Sequence, residues 1–181
     1  NRLAALGVKP EPGAFRYEHR LCGLEQGGYE ELEAALDADP GIGLVVIDTL
    51  GKVLPAAGRT GNAYLHDVRH VGRLQEIVLR RNVCLLAVHH TRKASDTDFV
   101  SSVSGTTGIA GSADGVISLA RGRQTSLCRL QLTGRDLEEA DFAFEFNKTV
   151  WTLIGPWSEH GMTGTSQVIL DLVRGGPKSV R

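Results

Sequence analysis

Two short apolar runs stand out along the chain, and each one ends in polar residues. They predict strands over Leu44–Thr49 and Val83–His90. A continuous apolar run does not alternate between faces, so both faces of each strand should be covered, as in a parallel sheet. Ligands of open α/β sheets lie at the carboxyl ends of the strands. Asp48, His89 and His90 are therefore the first candidates for chemistry.

Apolar residues at helical spacing surround these strands and predict the covering helices. One helix is expected over residues 29–36, a long one over 64–81 and a short one over 108–113. Residues 51–63 and 94–108 are polar or Gly-rich and are predicted as loops. In the long helix the apolar face comprises Leu65, Val68, Val71, Leu74, Ile77 and Val78, and the other face carries His66, Arg69, His70, Arg73 and Arg80.

Four further strands are predicted in the second half of the chain, over 115–120, 126–133, 142–146 and 150–154. An acidic turn at 136–141 separates the second from the third, which is typical of an antiparallel hairpin. Strand and helix alternate before this point, so the pattern predicts an α/β sheet that is closed by antiparallel strands.

Composition narrows the class of protein without identifying its function. No apolar stretch approaches the roughly 18 residues of a membrane span, and no signal-peptide pattern is present. The cysteines Cys22, Cys84 and Cys128 are not clustered, which favours reduced thiols and a cytoplasmic protein. Residues 51–135 carry 12 Lys and Arg against 5 Asp and Glu, or +7, although the whole chain carries −1. This basic region suits a polyanionic partner, or it is a solvated surface with chance clustering.

The polar residues at the strand ends suggest phosphate chemistry. A carboxylate that emerges from a buried strand, as Asp48 does, can hold Mg²⁺ directly or through water. The alternative is an aspartate that caps the next turn. One imidazole of His89 and His90 could contact a γ-phosphate or polarise the attacking water, although a single strand histidine is more often a satisfied core residue.

Three other features of the sequence bear on its chemistry. Arg135 follows a predicted strand at a turn, where it could reach a neighbouring subunit's phosphates or pair with Asp136. His66 and His70 have a metal-binding spacing, but the Glu of H-E-x-x-H is missing, which disfavours a metal. The chain contains no G-x-x-x-x-G-K-[ST] sequence, so the loop that cradles phosphates is absent from it.

Four stretches together resemble a known family. They are GLVVIDTLGKV (43–53), LLAVHHTRK (85–93), SGTTGIAGSADGVISLAR (104–121) and LQLTGRDLEEADFAFEF (130–146). Their order resembles the RecA-like ATPase core of RepA-type and DnaB-like hexameric replicative helicases, which are AAA-family ATPases. The resemblance implies an α/β P-loop NTPase core with a mostly parallel sheet flanked by helices and antiparallel C-terminal strands. This core would occupy residues 1–157, and residues 158–181 would begin a helical or winged-helix tail.

The resemblance also implies roles for single residues. Asp48 matches the Walker B aspartate that holds Mg²⁺, and Thr49 adjoins it at the nucleotide. His90, with His89 beside it, matches the residue that senses the γ-phosphate of ATP. Arg135 matches the arginine that reaches into the neighbouring subunit's site. Thr133 stands where DnaB-like proteins carry the lysine of a Lys-x-Arg pair, and the candidate DNA contacts are Lys52, Arg59, Arg92 and Lys93.

The implied activity is that of an ATP-dependent DNA motor, a hexameric ring that acts on single-stranded DNA with ATP and Mg²⁺. An alternative is a RecA-like recombinase or regulatory ATPase that binds DNA without unwinding it. A metal-dependent phosphoesterase built on Asp48, His89 and His90 is disfavoured, because two-metal sites need more ligands. In the family the phosphate loop and catalytic glutamate precede the segment at Asn1. We therefore expect an N-terminally truncated core that is inactive alone.

Overall fold

The computed structural model describes residues 6–56, 62–91, 100, 107–122 and 125–161 of the chain. They belong to two units, Pro10–Val116 and a second unit made of Ile117–Arg181 with Asn1–Lys9. No helix within the described ranges is long and apolar enough to cross a membrane. The predicted tail lies almost entirely outside these ranges, because the last described residue is Gly161.

The first unit is built around two parallel strands, β1 (Leu44–Asp48) and β2 (Cys84–Val88). Their register pairs Leu44 with Cys84 at one end and Asp48 with Val88 at the other. Parallel strands need a long crossover connection, and a 17-residue helix lies within it. The helices of this unit are α1 (Gly28–Ala38), α2 (Leu50–Val53), α3 (Ala63–Leu79) and α4 (Thr107–Ser112), and a short 3-10 turn covers Leu24–Gln26.

Apolar side chains from the helices and from β1 form the core of the first unit. Tyr29 on α1, Leu50 on α2 and Leu74 on α3 are each 1% exposed. Removing such side chains from water stabilises the fold by about 1.5–3 kcal/mol each. The same cluster contains Leu24, Leu32, Leu36, Ile47, Val53, Ile77, Val78, Val83 and Ile109. Because Ile47 belongs to it, the core holds the end of β1 in place.

The described residues cover only one face of the β1–β2 sheet. Ile47 is buried and Val45 packs beside it on the face that meets the helices. On the opposite face Leu44, Val46 and Leu86 are 56%, 52% and 45% exposed. The prediction that both faces are covered is therefore wrong for the described part of the chain, because α1 and α3 supply apolar surface to one face.

The buried stripe of α3 differs from the predicted one in the first two turns. Leu65, expected on the inner face, is 61% exposed, whereas Asp67 and His70 are 8% and 4% exposed. The prediction that His70 lies on the outer, polar face is wrong. Leu74 and Ile77 continue the stripe at the same helical spacing, so the period is kept and its first two members are polar.

The segment predicted as a loop over residues 51–63 begins as a helical turn. Within α2, Leu50 and Val53 are buried in the core, which fixes this turn directly after β1. Asn62 begins the next helix, because its Oδ1 accepts a hydrogen bond of 3.0 Å from the backbone N–H of Tyr64. Asparagine is a favoured residue at this N-cap position. The start of α3 is thus encoded locally.

A four-stranded sheet, which belongs to the second unit from Ile117 onward, has the order β3 (Gly115–Arg121), β4 (Leu127–Gly134), β5 (Leu137–Asn147) and β6 (Val150–Pro156) and is followed by the short helix α5 (Trp157–His160). β5 is antiparallel to both β4 and β6. Cys128 and Ala143 are fully buried. Arg129 and Asp141, cross-strand neighbours, form a two-point ion pair in which Arg129 Nε lies 2.8 Å from Asp141 Oδ1. These contacts confirm the predicted antiparallel strands.

The two groups of strands form separate hydrogen-bonded sheets in the described residues. The α/β class, the parallel pair and the antiparallel C-terminal strands are as predicted. The expectation of one continuous sheet is not met, because β1 and β2 pair with each other while β3 pairs with β4. Apolar strand patterns specify that a strand forms, and they do not specify its neighbour.

Candidate functional site

The carboxyl ends of β1 and β2 bring the first candidate residues to the same edge of the sheet. Because Asp48 pairs in register with Val88, the strands end side by side and His89 follows immediately. Asp48 is exposed, and the peptide bond between it and Thr49 is cis. Thr49 holds the N-cap position of α2. Asp48 therefore does not cap this helix, and the alternative role considered for it is wrong.

An open cleft of about 620 Å³ lies at this edge. β1, β2, α2, α3 and α4 or their adjoining residues all contribute to its lining. Among the predicted site residues it brings together Thr49, Lys52, His89 and His90. The remaining lining residues are Gly51, Leu54, Pro55, Ala56, His66, Asp67 and Ile109. The cleft thus combines a hydroxyl, an ammonium group, three imidazoles and a carboxylate.

The ring of His89 is oriented by a contact with its own neighbour. His89 Nδ1 lies 2.9 Å from the backbone carbonyl oxygen of His90. A carbonyl oxygen can only accept, so Nδ1 carries the hydrogen and Nε2 is the remaining nitrogen. A Cβ atom on Gly51 would stand 3.6 Å from His89 Nε2, so the ring lies close to the backbone that follows β1.

His66 and Asp67 line the same cleft and were not singled out as a pair by the sequence analysis. His66 Nδ1 lies 3.3 Å from Asp67 Oδ1, and the carboxylate is almost completely buried. The sequence contained a sign of this pair. Asp67 stands three residues before His70 and seven before Leu74, on the same face of the helix. A charged residue therefore occupies a core position.

A second polar cluster lies next to the first, inside the core. The Tyr29 hydroxyl lies 2.7 Å from His70 Nδ1 and 3.5 Å from the His70 carbonyl oxygen, and both side chains are buried. His70 Nε2 lies 3.6 Å from Glu25 Oε1, and its ring centroid is 4.5 Å from that of His66. Burial lowers the pKa of His70, and the nearby His66 lowers it further. Burial likewise raises the pKa of Tyr29.

Asp48, which directly precedes Thr49, is not among the residues that line this cleft. Arg135 is exposed in the turn between β4 and β5, in the second unit. Arg59, Arg92 and Lys93 lie outside the described residues. Within the described ranges no group of three or more His, Cys, Asp or Glu side chains could hold a metal ion by itself.

The donor set at this edge matches a magnesium-bound phosphate group. Mg²⁺ is held by one or two carboxylates together with phosphate oxygens and water, and Asp48 is an exposed carboxylate. The Thr49 hydroxyl, which lines the cleft, can donate a hydrogen bond to a phosphate oxygen. A carboxylate and a hydroxyl donor of this kind are chemically compatible with a metal–phosphate ligand.

Comparison with known proteins identifies the family and the fold of the chain. A family model described as an AAA domain, AAA_25, matches residues 6–96, which is 91 of the 181 residues. No curated protein matches the chain. The solved structure "ATPase Domain of G40P" matches with a TM-score of 0.58 and 14% identity, over 74% of this chain and 52% of that one.

A second solved structure has the same degree of likeness. "The Structure Of A DnaB-Like Replicative Helicase And Its Interactions With Primase" matches with a TM-score of 0.58 and 14% identity, over 75% of this chain and 36% of that one. The chain thus spans about half of the first structure and about a third of the second. The chain belongs to the AAA domain family and has the RecA-like α/β fold of P-loop ATPases.

Proposed function

We propose that the protein is an ATP-dependent motor of the replicative-helicase type, in which ATP is hydrolysed between subunits of a ring on single-stranded DNA. The observation that carries the proposal is the shared edge of β1 and β2. It presents Asp48 next to Thr49 and His89, two residues that line the cleft at this edge. Family membership and the fold of helicase ATPase domains support it.

The proposed roles follow from the chemistry of each group. Asp48 would hold Mg²⁺, which neutralises charge on the transferred phosphoryl group when bound. Thr49 adjoins the same site. His90 would contact the γ-phosphate, because it follows β2 at the edge where ligands of such sheets bind. Arg135, at an exposed turn, would enter the site of the next subunit, where its planar guanidinium suits phosphate oxygens.

The DNA contacts are proposed for basic residues in the segments that follow the two strands. Lys52 is an exposed cation directly after β1. Arg59, Arg92 and Lys93 are proposed from the sequence alone. Contacts of this kind are made mostly to phosphates, so binding should weaken steeply as salt rises.

The test is ATP hydrolysis and strand unwinding by the natural polypeptide that carries this chain. Asp48→Asn should lower kcat by about 100- to 1000-fold, because a metal ligand contributes several kcal/mol. Glu138→Gln, which removes an exposed carboxylate on β5, is the matched control and should leave the rate unchanged. DNA-stimulated hydrolysis without unwinding would favour the recombinase or regulatory alternative. Hydrolysis that survives Asp48→Asn would contradict the proposed site.

A further inference from the structure

His66 and Asp67 line the cleft, and the proposed function gives neither of them a role. His66 is partly accessible, with 20% of its side chain exposed, while the Asp67 side chain is 11% exposed. A buried carboxylate beside a partly exposed imidazole is an arrangement that orients the ring. This orientation decides which ring nitrogen of His66 can accept a hydrogen bond from a ligand.

The hydrogen bond between His66 and Asp67 determines which ring nitrogen carries the hydrogen. An ionised carboxylate only accepts hydrogen bonds, so His66 Nδ1, which lies 3.3 Å from Asp67 Oδ1, must be the donor. In the neutral ring the hydrogen then resides on Nδ1, and Nε2 carries a lone pair. His89 reaches the same state through the carbonyl oxygen of His90, at 2.9 Å. Two imidazoles of one cleft therefore offer Nε2 as an acceptor.

His70, on the same helix, is an internal comparison. Its Nδ1 lies 2.7 Å from the Tyr29 hydroxyl, and its Nε2 lies 3.6 Å from Glu25 Oε1. His70 is 4% exposed and does not line the cleft. Of these two histidines of α3, only His66 lines the cleft.

We propose that His66, oriented by Asp67, is a positioning residue that binds a water molecule at the phosphate site. A lone pair on a neutral imidazole cannot hydrogen-bond to a phosphate oxygen, which is itself an acceptor, but it accepts readily from water. The Thr49 hydroxyl, in the same cleft, can donate to a phosphate oxygen. The cleft therefore contains both a donor that suits phosphate and an imidazole nitrogen that accepts from water. This inference rests on the proposed function.

The tautomers provide a test that needs no hydrolysis. In the natural polypeptide with ¹⁵N-labelled histidine, two-bond proton–nitrogen spectra distinguish Nδ1–H from Nε2–H rings. The ring of His66 is assigned by its disappearance in His66→Gln, and His89 and His70 are assigned likewise. We expect neutral His66 and His89 to carry the hydrogen on Nδ1. An Nε2–H ring at His66 would overturn the inference.

The second test replaces His66 with two amide side chains of different length. The amide group of glutamine lies where Nε2 of histidine lies, whereas that of asparagine lies where Nδ1 lies. His66→Gln should therefore keep kcat within about twofold, and His66→Asn should lower it roughly tenfold with KM little changed, the size of one lost hydrogen bond. His19→Gln, in the Pro10–Val116 unit but not in the lining of the cleft, is the control.

The outcomes separate the inference from the function on which it rests. Equal activity of His66→Asn, His66→Gln and wild type would overturn the inference and leave the proposed function intact. A wild-type polypeptide without ATP hydrolysis would overturn the proposed function, and this inference with it. Loss in His66→Asn with retention in His66→Gln would support the inference, because a purely structural role would not distinguish the two amides in kcat alone.

Discussion

The buried contact between Tyr29 and His70 offers a sharp test of how α1 is fastened to α3. The change is Tyr29→Phe, which removes one hydroxyl and keeps the ring. Tyr29 and His70 are 1% and 4% exposed, and their hydrogen bond is 2.7 Å long. Without the hydroxyl, His70 Nδ1 loses this buried hydrogen-bond partner, at a cost of about 1–3 kcal/mol. The Arg73 guanidinium, 3.9 Å above the Tyr29 ring, has the same aromatic face in the variant.

The measurement is thermal unfolding followed by helical circular dichroism. In a chain of this size 1 kcal/mol corresponds to a Tm change of about 2–4 °C, so Tyr29→Phe should lower Tm by about 2–12 °C. Tyr17→Phe is the matched control, because Tyr17 is 66% exposed and an exposed substitution changes stability by about 0.5 kcal/mol or less.

A double-mutant cycle separates this hydrogen bond from general packing. Replacing both partners, Tyr29→Phe with His70→Leu, removes donor and acceptor together. The double variant should therefore lose less stability than the sum of the single losses, by about 1 kcal/mol or more. A Tyr29→Phe variant as stable as the Tyr17→Phe control, or strictly additive losses, would refute the reasoning.

Further predictions concern pH and backbone space. Because burial lowers the pKa of His70 below the ordinary value of 6.5, the unfolded chain binds a proton that the folded one refuses, so stability should fall as pH drops below that value. The decrease of Tm with falling pH, measured just below pH 6.5, should be smaller in His70→Leu than in the wild type. An equal decrease in both proteins would show that another group causes it. Gly28→Ala should destabilise, because a Cβ there would collide with the Cys22 carbonyl oxygen. Gly72→Ala, within α3, should stabilise by about 0.5–1 kcal/mol, because among the described residues no atom outside the local helical backbone lies within 4 Å of the added Cβ. Equal Tm changes in the two alanine variants would contradict this assignment.

The strands and helices of the first unit were predictable because their signals are local. Apolar runs gave β1 and β2, and the helical spacing of Leu74, Ile77 and Val78 gave α3. The placement of Asp48 and His89 at one edge followed from a general property of parallel sheets. The hydrophobic pattern could not predict whether the sheet face that carries Val46 and its neighbours is covered. Burial of that face depends on where segments distant in sequence pack.

The site was only partly predictable, and the reason is chemical. Asp67 and His70 are polar residues on a buried helix face, and a rule based on hydrophobicity assigns such residues to the outside. Their burial is explained by specific partners, since Tyr29 satisfies His70 and His66 contacts Asp67. A contact between residues 41 positions apart, such as Tyr29 and His70, produces no periodic pattern in a single sequence.

The measurement that tests the central claim most directly is paramagnetic broadening by a Mn²⁺–nucleotide complex. In the natural polypeptide, Mn²⁺ held by Asp48 with a bound nucleotide should broaden the ring resonances of His89 and His90 and spare those of His19. The broadening should depend on the nucleotide and disappear in Asp48→Asn. Equal broadening in Asp48→Asn, or none at His89 and His90 with a nucleotide bound, would contradict the assignment of this sheet edge as the phosphate site.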